Sequence, residues 1–453
     1  MSNRMRKFWL PLAASAGAML VYGADMKIPF EKYTLGNGMR VILSQDHSAP
    51  VVSIYMLYNV GSRSEEKGRT GFAHLFEHMM FEGSANAPKG IHFKTVEANG
   101  GSLNGSTHPD FTDYFEALPS NKLAVGLWLE SDRMRSLAIT APNLANQKEA
   151  VKEERRLSFD NRPYNTAIVD VWPTLAYQNW QSSHSLIGSF EDLNAASVAD
   201  VAKFFKTYYA PNNAILSVVG DIQIPEAKKW IETYFGDIPA QPQPSRPDLS
   251  EPAKSTPKNE VYKDALAGVP AVIIGWPGPP RRSADYNALV MLDALFTGGE
   301  SSRFSLDLVK GKKSVLNYEA NPGWPFTGAS DYKDPSLYAM NLLHNPKYTG
   351  KDIVNQVQEE IARIQKDGVD SKELERARTF LRASRIKDLQ STLTRATLLA
   401  QYEMFDGKPE LITSELDTFL AVTPEQIQAV AKKYLVPEKR VVLEIVPAPK
   451  EKK

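Results

Sequence analysis

"SVADVAKFFKTYYAPNNAILSVVGD", residues 197–221, and "TPEQIQAVAKKYLVPEKRVVLEIVPA", residues 423–448, carry one series of structural signals twice in a single chain. Placing Pro211 on Pro437 sets an offset of 437 − 211 = 226; Ser197 then meets Thr423, Val201 meets Ile427, Lys206 meets Lys432 and Tyr208 meets Tyr434. Each stretch opens on a hydroxyl residue followed three positions later by a polar one. Gln426 completes a capping box with Thr423, and Asp200 makes a weaker version with Ser197. Each then predicts a helix, breaks at the proline and enters a β-branched strand. Cap, helix, proline and strand in one order, twice, imply an internal duplication.

Working outward, the proline-rich stretch "PAQPQPSRPDLSEPAKSTP", residues 239–257, can be neither helix nor central strand and separates halves of similar size. We place a leader at 1–24, a first domain at 25–238, a linker at 239–260 and a second domain at 261–450. "YTLGNGMRVILSQ" carries an Asn-Gly hairpin signal. "APVVSIYMLYNVGSR" predicts a strand, and "VPAVIIGWPG" takes the same place in the second half. Helices are predicted over 71–80, about 121–136, about 143–159, 351–366 and 371–390. Strands, hairpins and helices intermix in each half, so the fold class is α+β: two homologous units, each an antiparallel-rich sheet packed with helices.

Composition narrows the chemistry. The 453 residues carry 53 basic and 53 acidic side chains, so no global field attracts nucleic acid. The absence of cysteine excludes disulfides, Fe–S clusters and thiol nucleophiles, leaving His and carboxylates for any transition metal. Arg4, Arg6 and Lys7 precede the apolar run "FWLPLAASAGAMLV", and small residues follow at Gly23 and Ala24. This reads as an export signal cleaved after Gly23 or Ala24, and predicts a periplasmic or secreted protein with no membrane attachment after cleavage. An uncleaved anchor and a mitochondrial presequence are the alternatives; the run is short for a span and Pro11 interrupts it.

The segment "GFAHLFEHMMFEGS", residues 71–84, holds two of the chain's seven histidines. On a helix, His74 and His78 share one face a turn apart, with Glu77 beside them. His-x-x-Glu-His is a metalloprotease pattern: two imidazoles for zinc, and a carboxylate able to take a proton from metal-activated water. His47, His92, His108, His184 and His344 are read as structural. A catalytic zinc site needs a third protein ligand. "NQKEAVKEERRLSF", residues 146–159, offers Glu149, Glu153 and Glu154, which composition does not separate.

With these segments the chain resembles the pitrilysin/insulinase family of inverted-motif zinc peptidases, which includes mitochondrial processing peptidase. In that family a glutamate ligand follows the motif after about 75 residues; here 154 − 78 = 76, so 75 residues intervene before Glu154. The resemblance implies one zinc per chain on His74, His78 and Glu154, with Glu77 as general base. It implies a supporting glutamate seven residues before the ligand, and here that place is Gln147, so the support of the ligands is weaker or differently wired. "NGGSLNGSTHPDFTDYFEALP" looks like the family's exposed strand beside the metal, to which a peptide substrate adds as a further strand; Asn104, Gly105, Ser106 and Thr107 are the matching piece. "HSLIGSFEDL" matches a further block of the family.

The second half departs from the pattern. Setting "HLFEHMMFEGS" on "LVMLDALFTGG" places Leu289, Leu292 and Asp293 at His74, Glu77 and His78, so that half has lost the metal set. Many relatives supply an arginine and a tyrosine from this half to the substrate backbone. Here those places fall at Val309 and Leu316, with Lys310 and Tyr318 nearby but off register. The resemblance therefore implies a two-subunit peptidase: this chain holds zinc, a homologous partner supplies the Arg/Tyr pair in a heterodimeric clamshell, and a homodimer is the alternative. The expected activity is zinc-dependent endopeptidase cleavage of peptides or unfolded segments. The alternative function is a non-catalytic core subunit of a related complex.

Overall fold

The computed structural model describes residues 27–252, 258–323, 332–333 and 337–448, so the leader expected at 1–24 lies outside the described residues. Two mixed sheets, each packed with helices, make an α+β architecture. The first contains β1 (Glu31–Thr34), β2 (Arg40–Gln45), β3 (Val51–Tyr58), β4 (Ser102–Thr107), β5 (Thr112–Pro119) and β6 (Ala214–Gly220), in the order β1-β2-β6-β3-β5-β4. The second contains β7 (Lys258–Asp264), β8 (Ala271–Pro277), β9 (Val315–Pro322), β10 (Leu337–His344) and β11 (Val441–Pro447), in the order β7-β11-β8-β10-β9.

The duplication shows in the pairing. β2 runs parallel to β6, as β7 does to β11; every other neighbouring pair is antiparallel. β1 is an extra edge strand, joined to β2 through the Asn-Gly turn, where Gly38 takes a φ of 86°. The repeated helices are Val198–Tyr208 and Pro424–Tyr434, and both carry a complete capping box. Asp200 accepts from the Ser197 backbone as Gln426 does from Thr423, so the shorter carboxylate closes its box as well. The linker ends earlier than 260, because Lys258 already pairs with Val441 at the start of β7.

Four helices shape the region of interest: α1 (Phe72–Met79), α2 (Ile91–Ala98), α3 (Leu123–Ser136) and α4 (Ala141–Arg155). α4 ends four residues short of the predicted helix end at 159, because the backbone widens into a π-type turn over Arg156–Asp160. On the first sheet Val41, Leu43, Ile54 and Met56 point toward these helices, while Ile42, Tyr55, Leu57 and Ile215 point the other way. That is the two-residue alternation of a strand buried on both faces.

The two faces are covered from different halves. The second face of the first sheet packs on the Thr392–Asp406 helix through Ala396, Leu399 and Ala400. The corresponding face of the second sheet packs on residues from the first half, led by Ala167, Trp172, Leu175 and Ala176. A Cβ on Gly275 of β8 would stand 2.7 Å from the Trp172 ring, so the strand and the indole touch directly. Each half thus closes the other's core.

Candidate metal centre

α1 begins at Gly71, which lies in the left-handed region and has no side chain to cap the helix. The acceptor comes from elsewhere: the buried Glu65 carboxylate accepts from the backbone N–H of Gly71 at 3.0 Å and of Ala73 at 2.8 Å. His184 lies 2.9 Å from the same carboxylate and stacks on Trp180. Gly71 and Gly188 approach so closely that a Cβ on either would stand 2.6–2.7 Å from the other's Cα. Asp192 accepts from the Thr70 N–H at 3.0 Å. The "HSLIGSFEDL" block therefore fixes the start of α1, and Phe72, Leu75, Phe76 and Met79 bury its opposite face. No motif points to Glu65; the signal available in sequence is a helix opening on glycine, whose orphan N–H groups need an acceptor from outside.

α1 packs on α4, and three donor atoms converge there. His78 Nε2 lies 3.1 Å and His74 Nε2 lies 3.7 Å from Glu154 Oε2. Donor atoms around a tetrahedral zinc ion stand about 3.3 Å apart, given bonds near 2.0–2.1 Å. These three side chains fit such an ion in type, number and spacing. Burial first, and the neighbouring His78 second, lower the His74 pKa to about 4. Burial also acts downward on His78, but the hydrogen bond to Glu154 and the charge of Glu77 leave it raised. The His78 hydrogen bond holds the Glu154 carboxyl low.

The other glutamates of α4 face away: Glu149 pairs with Lys152, and Glu153 with Arg156, both at the surface. Gln147, one turn before Val151, takes its place behind His78, 3.2 Å from Nδ1.

Glu77 is buried beside the trio, and Thr107 Oγ1 donates to its Oε2 at 2.7 Å. Burial pushes the Glu77 carboxyl up to about 7, against the Thr107 hydroxyl and His78. Thr107 ends β4, which pairs with β5 on one side and is the sheet's edge on the other. Along β4, Asn104 lines a cavity of about 360 Å³ together with Glu77, His78, Phe81 and Phe93. Gly105 packs over the Tyr114 ring, and Ser106 bonds Asp113. The four residues matched to the family's strand thus divide: Asn104 faces the cavity, and Thr107 holds Glu77.

A second trio of metal-competent side chains occurs among the described residues: His92, Glu116 and Glu130 on α2, β5 and α3. Arg133 lies among them, ion-paired to both glutamates, with its guanidinium 4.4 Å from the Tyr114 ring centroid. That cluster already contains its cation and supports the sheet. Of the remaining histidines, His47 pairs with Asp221 and His108 stacks on Phe111. In the second half, Lys310 pairs with Glu300 and Tyr318 bonds Ser302, so both are engaged within their own unit. Asp293 is buried and accepts from Tyr338 at 3.0 Å, with no histidine beside it in its helix.

Comparison with known proteins addresses the family and the fold. The family description "Insulinase (Peptidase family M16)" matches residues 40–189, and "Peptidase M16 inactive domain" matches residues 195–381. The chain is 26% identical over 431 residues to the zinc protease PqqE of Helicobacter pylori, covering 93% of this chain and 95% of that one. It is 23% identical over 422 residues to the mitochondrial-processing peptidase subunit beta of Lentinula edodes, covering 90% and 88%. A crystal structure of a protease from Helicobacter pylori superposes with a TM-score of 0.86 at 25% identity, covering 93% of this chain and all of that one. Motif segment, two-sheet architecture and matches across both halves lead to one assignment: the chain belongs to the M16 (insulinase) peptidase family.

Proposed function

We propose that this protein is a zinc-dependent endopeptidase subunit, cleaving peptides or unfolded segments inside a clamshell completed by a homologous chain. The convergence of His74, His78 and Glu154 carries this reading, and the relatives named as zinc proteases support it. His74, His78 and Glu154 would hold a zinc ion, which would supply Lewis-acid chemistry toward water and a peptide carbonyl. Glu77, held by Thr107 at the cavity wall, is the group placed to take a proton from an attacking water and return it to the leaving amine. The free edge of β4 offers backbone groups to an extended peptide, which would hold the scissile bond beside Glu77.

The partner follows from what the second half lacks. Val309 and Leu316 stand at the places of the family's Arg/Tyr pair, and Lys310 and Tyr318 are tied to Glu300 and Ser302. A homologous partner is assigned to supply them; a second copy of this chain is the alternative source. The basic and apolar pattern of residues 4–24 supports a periplasmic or secreted location. No helix among the described residues is long and apolar enough to cross a membrane.

The test is metal content and peptide cleavage together. The purified chain is expected to hold one zinc. His78→Ala and Glu154→Gln should each lose zinc affinity by more than the about 10–100-fold that loss of an outer partner costs. Retention of one zinc by both variants overturns the ligand assignment. Cleavage by the isolated chain equal to that of its mixture with a homologous subunit overturns the partner assignment.

A further inference from the structure

The acceptor behind His78 is an amide, and an amide has two faces. Gln147 Oε1 stands 3.2 Å from His78 Nδ1, while Gln147 Nε2 donates to Glu82 Oε1 at 2.6 Å. Glu82 is buried, and Lys89 Nζ donates to its second oxygen at 2.5 Å. An ionised carboxylate only accepts, so Glu82 forces the amide nitrogen toward itself and the amide oxygen toward His78. The oxygen in turn requires the imidazole proton on Nδ1. The nitrogen left to bind a metal is then Nε2, the one that faces His74 and Glu154.

We propose that Glu82 is a positioning residue for the metal centre: through the Gln147 amide it fixes which nitrogen of His78 is the ligand and supplies, at one remove, a carboxylate's charge. This rests on the zinc site proposed above. A direct carboxylate contact would set the same tautomer without help. An amide alone would not, because a flipped amide offers N–H to Nδ1 and favours the proton on Nε2. The buried Glu82 carboxylate, neutralised by Lys89, removes that ambiguity. Both residues line the cavity that Glu77 and Asn104 also line, but their side-chain hydrogen bonds run to His78, to Lys89 and to each other, while Glu77 is held by Thr107, so the effect is expected first on metal affinity.

The experiment is zinc affinity by chelator competition on the full chain, with circular dichroism to confirm the fold. Glu82→Gln is expected to weaken zinc binding about 10–100-fold, the range seen when an outer partner of a ligating histidine is lost. Gln147→Met breaks the same link from the other side and should match it, which keeps the test open if one variant does not fold. The double variant Glu82→Gln/Gln147→Glu exchanges the two groups: the carboxylate accepts from His78 Nδ1 and the amide donates to it from behind. It should recover most of the lost affinity. Glu149→Gln, on the exposed side of the same helix, should leave affinity unchanged. Affinities of Glu82→Gln and Gln147→Met within twofold of the unsubstituted chain overturn the proposal, as does a double variant no better than either single. If the unsubstituted chain binds no zinc, the metal centre itself falls, and this inference with it.

Discussion

Glu77→Gln is expected to keep zinc bound and to lower kcat by about 10²–10⁴-fold, the range ascribed to a positioned general base. The substitution preserves shape, and Thr107 Oγ1 can donate to the amide oxygen as it donates to the carboxylate. Position and packing are therefore retained while the proton acceptor is lost. None of the three converging donor atoms belongs to Glu77, so zinc content should be unchanged. The measurement pairs metal analysis with turnover of a quenched peptide, in the presence of the homologous subunit if one is required. Undiminished hydrolysis would show that a different group moves the proton. Loss of zinc along with activity would show that Glu77 supports the ligands instead.

The second large effect is on stability. Trp172→Ala should cost about 3–5 kcal/mol, as removal of a fully buried aromatic side chain does. Trp172 is wholly buried between first-half residues and the second sheet, against Gly275, Ile273 and Ala339. That loss is large against the about 5–15 kcal/mol by which folded chains are stable. Denaturant unfolding followed by tryptophan fluorescence and by circular dichroism measures it. Because the indole belongs to one half and fills the core of the other, both probes should shift together. Leu157→Ala, at a side chain 57% exposed, is the contrast and should stay within about 0.5 kcal/mol. A Trp172→Ala midpoint no lower than that of Leu157→Ala would show that the cross-half core contributes little.

What could be read in the sequence was local. The capping residues, Pro211 and Pro437, and the β-branched runs after them announce a helix-to-strand unit twice, and the structure repeats it with matching strand order. The His74–His78 spacing works because four residues are close to one helical turn. The choice among Glu149, Glu153 and Glu154 depends on how α4 is rotated against α1, a tertiary quantity that composition does not hold; the family resemblance pointed to Glu154, which faces the histidines. Glu65 was invisible for a related reason: its partners are backbone N–H groups, which every residue type carries. Gln147 was legible as a departure, but Glu82 behind it was not, because the contact joins residues 65 positions apart. The covering of each sheet by a segment from the opposite half left no mark in periodicity. Residues 167–176 are too short and irregular to show an amphipathic repeat.

The crossed covering of the sheets sets an order on assembly. During synthesis, β2, β3 and β6 emerge long before the helix that seals their second face; Ser53 and Thr392, which share a hydrogen bond there, are 339 residues apart. Until that helix arrives, Ile42, Tyr55, Leu57 and Ile215 have only first-half neighbours such as Ile28 and Phe111, and lack the Ala396, Leu399, Ala400 and Tyr402 side of their cluster. The first half therefore cannot complete its core as a nascent domain, although single domains ordinarily can. A chain that was duplicated in sequence has in this way become indivisible in folding: the ribosome must nearly finish before either copy is closed.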